Sequence, residues 1–176
     1  TCKFMLPDGS KEVLPYIYGN FMNNGQKAWR YQGFPKPRPM YGMEFFGAFP
    51  DATIVMVEGE KCADFGNAAM MASEYRGKYI FMSWIGGAEA VQQTDFTILS
   101  SRNIMMWPDH DEPSVKAMKY IHGITGGRFI NVPSDKPAKW DVADESWQAD
   151  EIVQFMLGNL DIKPPRPVKV EAPEIV

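Results

Sequence analysis

Cysteine is scarce in this chain of 176 residues: Cys2 and Cys62 are the only two. Two cysteines cannot build a disulfide framework or a Cys-rich zinc ribbon, and such sparing use fits a reducing compartment. Histidine is equally scarce, with His110 and His122 alone. In isolation His110 reads as an exposed loop residue and His122 as a helix-surface residue. No apolar run approaches the about 18 residues that a membrane-spanning helix needs, so no membrane partner is expected. No GxxxxGK[ST] phosphate loop occurs, which excludes an autonomous helicase within these residues. The first residue is Thr and no signal-like apolar segment follows it. The chain therefore reads as a piece of a larger protein.

What is present is enough for a packed core. The composition is 45% hydrophobic and 13% aromatic, which excludes a disordered chain. Taken alone, the net charge of −4 argues against a nucleic-acid partner, but it hides a split. Residues 1–42 hold six Lys/Arg (Lys3, Lys11, Lys27, Arg30, Lys36, Arg38) against Asp8 and Glu12, a net +4, so residues 43–176 carry −8. Such asymmetry points to two jobs within one chain.

The basic segment reads as short strands. Val13–Tyr18 and Lys27–Phe34 are rich in aromatic and β-branched residues, with the turn-forming Asn24-Gly25 between them. Lys36-Pro37-Arg38-Pro39 then breaks any helix or ladder and holds its charges on a rigid, extended segment. After Pro50 the rhythm changes. Thr53–Val57, Lys78–Met82, Asn103–Trp107 and Arg128–Val132 are apolar runs that start 25 residues apart. Helix-like stretches lie between them. Lys61–Tyr75 places Cys62, Phe65, Ala69 and Ala72 on one face, and Ser114–Ile124 does the same with Val115, Met118 and Ile121. Ala149–Leu160 reads as a closing helix, and the 12 methionines read as core filler. The pattern predicts an α/β fold: a mostly parallel four-stranded sheet flanked by helices, preceded by a small basic antiparallel β subdomain. The expected divisions are 1–50 for the basic subdomain, 51–162 for the α/β domain and 163–176 for a Pro-rich tail or linker.

Ligands bind beyond the carboxyl ends of strands in an open parallel sheet. The four runs are followed by Glu58-Gly59-Glu60-Lys61, by Ser83-Trp84-Ile85-Gly86-Gly87, by Pro108-Asp109-His110-Asp111-Glu112-Pro113 and, after a loop, by Lys139-Trp140-Asp141-Val142-Ala143-Asp144. Taken singly, each is ordinary turn or helix-start chemistry. Together they put several carboxylates on one rim. Unaccompanied carboxylates repel one another, and a hard divalent cation such as Mg²⁺ would reconcile them. Lys61, one helical turn from Glu58, is either a phosphate contact or a solvated helix charge. Ser83 and the backbone of Gly86-Gly87 are placed to approach a phosphate closely.

In that order, the runs IVMVEGEKCADF, SWIGGAEAV, NIMMWPDHDEP and KWDVAD resemble the Toprim domain. The narrower likeness is to the primase-type Toprim of phage and plasmid replication proteins, over about residues 36–160, and KPRPMYG ahead of the first strand is similar too. An Asp-x-Asp after the third strand also argues against haloacid-dehalogenase-type phosphatases, which carry theirs after the first. The resemblance implies a primase core that makes short RNA primers on a single-stranded DNA template from NTPs. It implies Mg²⁺ or Mn²⁺ as cofactor, flanking zinc-ribbon and helicase domains, and a cytoplasmic site of action in a bacterial cell or phage-infected host. By the same resemblance Glu58 is the general acid/base and Asp109 and Asp111 are metal ligands. Asp141 and Asp144 are similar to a later acidic pair that holds a second metal. Many bacterial primases carry a further acid where this chain has Cys62, and Asp64 lies two residues beyond.

In the basic segment, cations alternate with Tyr16, Tyr18, Phe21, Trp29, Tyr31, Phe34 and Tyr41. Cations for phosphates and rings for bases are how single strands are held without sequence reading, although the rings also suit the core of a small sheet. Arg30, Lys36 and Arg38 are the candidate phosphate contacts, with Lys61, Gly86 and Gly87 as candidates on the α/β side. The alternative functions are a Toprim metal-dependent nuclease and a non-catalytic nucleic-acid or nucleotide-binding module. A topoisomerase is disfavoured, because its nucleophilic Tyr sits on a further large domain.

Overall fold

A proline divides what the sequence pattern joins. In a computed structural model of the chain, which describes residues 2–20 and 26–161, the expected strand Val13–Tyr18 is broken at Pro15 into two. Strand β2 (Lys11–Leu14) pairs antiparallel with β1 (Cys2–Met5), and β3 (Tyr16–Asn20) pairs antiparallel with β4 (Lys27–Tyr31). The β1–β2 turn is closed by Asp8, whose carboxylate accepts from the Ser10 amide at 2.9 Å and the Ser10 hydroxyl at 2.6 Å. Gly9 supplies the positive φ of 82° that this turn needs. The Asn24-Gly25 turn and the Pro-rich tail 163–176 lie outside the described residues.

The chain splits into two compact units at Arg38/Pro39, earlier than the boundary at residue 50 that composition suggests. Residues 39–50 belong to the larger unit. They supply β5 (Met40–Tyr41) and the short helix α1 (Met43–Ala48). The rest of that unit is β6 (Thr53–Met56), α2 (Glu60–Met71), β7 (Tyr79–Trp84), β8 (Ile104–Met106), α3 (Glu112–Thr125), β9 (Arg128–Phe129) and α4 (Ala149–Gly158). Two 3₁₀ segments, Ala88–Gln93 and Thr97–Leu99, connect β7 to β8 in place of an α-helix.

The sheet has five strands in the order β5-β7-β6-β8-β9, not four. The four apolar runs pair in parallel, and β5 adds antiparallel to β7 with Met40 opposite Trp84. A two-residue strand is too short to show any periodicity, so the sequence pattern is blind to it. Both faces of the sheet are covered, which is why the strands read as unbroken apolar runs rather than alternating ones. Ile54, Met56, Ile80, Met82 and Trp84 point to one face, under Met118 and Ile121 of α3 and under Phe96 and Leu99. Val55, Val57 and Phe81 point to the other, under α2 and α4. Among the described residues, no helix is long and apolar enough to cross a membrane.

Helix α2 buries Cys62, Ala63, Gly66, Asn67 and Met70, a stripe rotated from the one its larger apolar residues suggest. The cause is the closeness of α2 to β7. A Cβ on Gly66 would lie 2.3 Å from the Phe81 ring, so only glycine fits. Asn67 then uses its side-chain amide as a strand would: it donates to the Phe81 carbonyl and accepts from the Phe81 amide, both at 2.8 Å. These are the backbone groups on the β5 side of β7, which the short β5 does not reach.

Candidate functional site

The loops after β6, β7 and β8 meet at one rim of the sheet. Glu58 follows β6 and is held from two directions. Its backbone carbonyl accepts from the Ser83 hydroxyl at 2.8 Å, and its Oε1 accepts from the Ala88 amide at 3.2 Å. That amide is delivered by Gly86 and Gly87, whose φ values of 106° and 71° turn the chain after β7. The indole of Trp84 fixes the turn by donating to the Gly87 carbonyl at 2.8 Å. A Cβ on Gly87 would stand 3.8 Å from Glu58 Oε1, an ordinary contact. The glycine is therefore required by backbone conformation rather than by space. The other oxygen, Oε2, is buried with no hydrogen-bond partner.

Asp109 and Asp111 follow β8. Asp111 caps α3: its carboxylate accepts from the Ser114 amide at 2.9 Å. The Ser114 hydroxyl in turn accepts from the Asp109 amide at 2.9 Å, so one buried serine fixes the loop at both acids. A strap from later in the chain crosses here. The His110 amide donates to the Trp140 carbonyl at 2.9 Å, and the Lys139 amide donates to the His110 carbonyl at 3.0 Å. Lys139 takes a left-handed φ of 64° to do so. His110 Nδ1 lies 3.1 Å from the Pro137 carbonyl. Trp140 anchors the strap among Trp107, Trp147 and Phe155.

The strap delivers Asp141 and Asp144, which cap a 3₁₀ turn reciprocally. Asp141 accepts from the Ala143 amide at 2.7 Å, and Asp144 accepts from the Asp141 amide at 3.0 Å. Lys61 reaches both, at 3.5 Å and 3.2 Å. The lysine expected to be a phosphate contact or a solvated charge is thus paired with two acids far along the chain.

The electrostatics record the convergence. Burial pushes the Asp109 carboxyl up to about 8, and the negative charges of Glu58, Asp141, Asp111 and Asp144 add to the shift. Burial works against the charge of Lys61, but its bond to Asp144 and the charges of Asp141 and Asp144 outweigh it and hold the ammonium above its ordinary range. The Asp141 amide, ahead of Lys61, holds Asp144 low. Burial drives the Cys62 thiol well up, helped by Asp141 and Asp109, so this residue faces the acids as a neutral thiol. Asp64 turns to another partner and accepts from the Tyr41 hydroxyl at 2.8 Å, which pushes that phenol up to about 12.

The structure therefore brings Glu58, Asp109, Asp111, Asp141, Asp144, Lys61, Gly86 and Gly87 to one rim. Arg30, Lys36 and Arg38 belong to the smaller unit. Ser114 and the Ala88 amide carry no motif signal and emerge only from the geometry. Beside the rim, a groove of about 590 Å³ runs between the Ala88–Gln93 segment and α3, lined by Ala88, Val91, Glu112, Lys116, Ala117 and Tyr120 among others. As the side chains stand, no group of three His, Cys, Asp or Glu among the described residues is arranged to hold a metal ion. The donor chemistry nevertheless fits one. An unpartnered buried carboxylate oxygen on Glu58 and a carboxyl raised by burial and by four like charges are what a hard cation would relieve.

No protein-family model matches the chain, and no curated protein matches it. Among solved structures it is similar to the crystal structure of the Aquifex aeolicus primase, zinc-binding and RNA polymerase domains, with 17% identity and a TM-score of 0.47. The match covers 76% of this chain and 32% of that one. Identity and TM-score this low fix neither family nor activity.

Proposed function

We propose that this chain is the Toprim-type catalytic core of a DNA primase, joining ribonucleotides on a single-stranded DNA template in phage or plasmid replication. The observation that carries the reading is the meeting of Glu58 and Asp109. An orphaned, buried carboxylate oxygen lies within electrostatic range of a carboxyl that its own burial, and then four other acids, disfavour as an anion. Such an arrangement is destabilising on its own, and perturbed acids cluster where chemistry is done.

In this reading Asp109 and Asp111 would hold Mg²⁺ or Mn²⁺, with Glu58 beside them. When bound, the ion supplies a lower pKa for a coordinated hydroxyl and neutralises phosphate oxygens. Glu58 takes the proton of the attacking 3′-hydroxyl, whose oxygen bonds the α-phosphorus as pyrophosphate leaves. The Ala88 amide on Oε1 fixes the carboxylate plane and leaves Oε2 for that proton. Ser114 holds the two aspartates in register. Asp141 and Asp144 would take a second cation only by giving up Lys61, so Lys61 acts as their resident counterion until then. Arg30, Lys36 and Arg38 would contact template or nucleotide phosphates. Flanking zinc-ribbon and helicase domains, and cytoplasmic action, belong to the same reading.

Among the described residues no three acids stand preset as ligands, which favours a second reading, a non-catalytic nucleic-acid or nucleotide-binding module. Titration with Mn²⁺ followed by electron paramagnetic resonance decides between them. Binding that Asp109→Ala removes, together with oligoribonucleotide synthesis that Glu58→Gln abolishes, supports the primase. Metal binding with DNA cleavage and no synthesis supports a nuclease instead. No metal binding at millimolar Mn²⁺ leaves the binding module.

A further inference from the structure

The chemistry above makes no use of one face of the β3–β4 ribbon. Side chains alternate between the faces of a strand. The register sets Tyr16 opposite Tyr31, Tyr18 opposite Trp29 and Asn20 opposite Lys27, so these residues share a face, with Lys27 at its end. The rings touch in a row. Tyr31 and Tyr16 have centroids 4.6 Å apart, Tyr16 and Trp29 4.9 Å with planes 24° apart, and Trp29 and Tyr18 5.3 Å. Mutual contact helps hold a two-stranded ribbon together. It does not explain why all four rings stay open to solvent, at 44% for Tyr16, 56% for Tyr18, 57% for Trp29 and 52% for Tyr31. A row of large exposed rings marks a surface that receives something.

Charge indicates what that is. The unit bearing the row has six Lys/Arg against two acids, inside a chain that is acidic elsewhere. An apolar protein partner has no use for that charge, and duplex DNA keeps its base faces stacked inside. A single strand offers both complements, base faces for the rings and phosphates for the cations. We infer that the Tyr16–Tyr18–Trp29–Tyr31 face is a base-stacking platform for single-stranded DNA, with Trp29 and Tyr18 as its outer rings and Lys27 beside the phosphate path. The choice of DNA rests on the template-copying reading above.

The test uses the whole chain and an oligothymidylate of about 12 nucleotides, followed by anisotropy and by tryptophan emission. Trp84, Trp107 and Trp140 are buried and Trp147 is half-buried, so a quench that accompanies binding in the parent chain and disappears in Trp29→Phe assigns the contact to Trp29. Trp29→Phe keeps a ring and should bind within about 3-fold of the parent. Trp29→Ala and Tyr18→Ala should each weaken binding roughly 5- to 100-fold, with circular dichroism confirming the fold. Unchanged affinity in the Trp29→Ala, Tyr18→Ala double variant overturns the platform. So does a concentration-dependent dimer abolished by Trp29→Ala, which would give the face to a second copy. Tighter binding of oligouridylate than of oligothymidylate overturns DNA as the occupant. Synthesis assays separate this inference from the functional reading. If Glu58→Gln abolishes synthesis while Trp29→Ala leaves the KM for template unchanged, the platform alone fails. If DNA binds through the rings but no synthesis occurs, the primase reading fails and the platform stands.

Discussion

In the larger unit Trp84, Trp107 and Trp140 are at most 3% exposed, whereas Trp29 of the smaller unit is 57% exposed. The same side chain is core in one and surface in the other, and the difference follows from architecture. A five-stranded sheet with helices on both faces encloses these three indoles. A two-stranded ribbon has no second layer to cover them. Charge divides along the same line: cations gather where rings are exposed, and carboxylates gather at the strand ends of the enclosed sheet. The polar chemistry of the larger unit thus sits on rigid supports, and the rings of the smaller unit are left to touch something else.

The contrast can be broken in four places, taken from the greatest effect to the least. Glu58→Gln should lower primer synthesis by about 10²- to 10⁴-fold with a melting temperature no lower than the parent's, as read by gel assay and thermal denaturation. An equal loss from any exposed ring substitution would erase the functional division between the units. Trp107→Ala should cost the larger unit about 3–5 kcal/mol, whereas Trp29→Ala should cost less than about 1 kcal/mol, both read from urea unfolding. Comparable losses would show that Trp29 belongs to a core.

The third test is pH. Burial, with the neighbouring negative charges, pushes the folded Asp109 carboxyl up to about 8 from an ordinary value of 3.8. Between those values the native state keeps a proton that the unfolded chain has released, so stability of the metal-free protein falls as pH rises through this window. Asp109→Asn should remove that slope and, at pH 8, raise stability by about 1–3 kcal/mol. Saturating Mg²⁺ should flatten the slope of the parent chain. A parent whose stability rises from pH 5 to 8 would show that Asp109 ionises freely. The smallest effect is that of Lys61→Ala. Its side chain is 64% exposed, so the pairs with Asp141 and Asp144 contribute under about 1 kcal/mol. Calorimetric Mn²⁺ binding should strengthen when this counterion is gone.

Much of the larger unit was legible because burial on both faces writes an unbroken apolar run, and four such runs at a constant interval define parallel strands. The acids at their ends were legible for the same reason, since topology alone carries strand termini to a common rim. Other features left no pattern. Strand β5 is two residues long. The Lys61 pairs span about eighty residues, and the strap from Pro137 to Asp141 is tied by backbone groups that no side chain advertises. The stripe of α2 was misplaced because its innermost members, Gly66 and Asn67, are not apolar. The run Arg128–Val132 yields only the two residues of β9, after which Ile130 bridges to Leu160. Pro15 carried a readable signal, a missing donor, that strand propensity on either side outweighed.

Asn67 has one more consequence. Where β5 stops, β7 would present the backbone amide and carbonyl of Phe81 to any passing chain, and an open sheet edge is where proteins recruit unwanted neighbours. A single side-chain amide occupies both groups. At that position the edge is therefore closed to a further strand, although the strand that covers it is only two residues long, and the residue that closes it belongs to a helix.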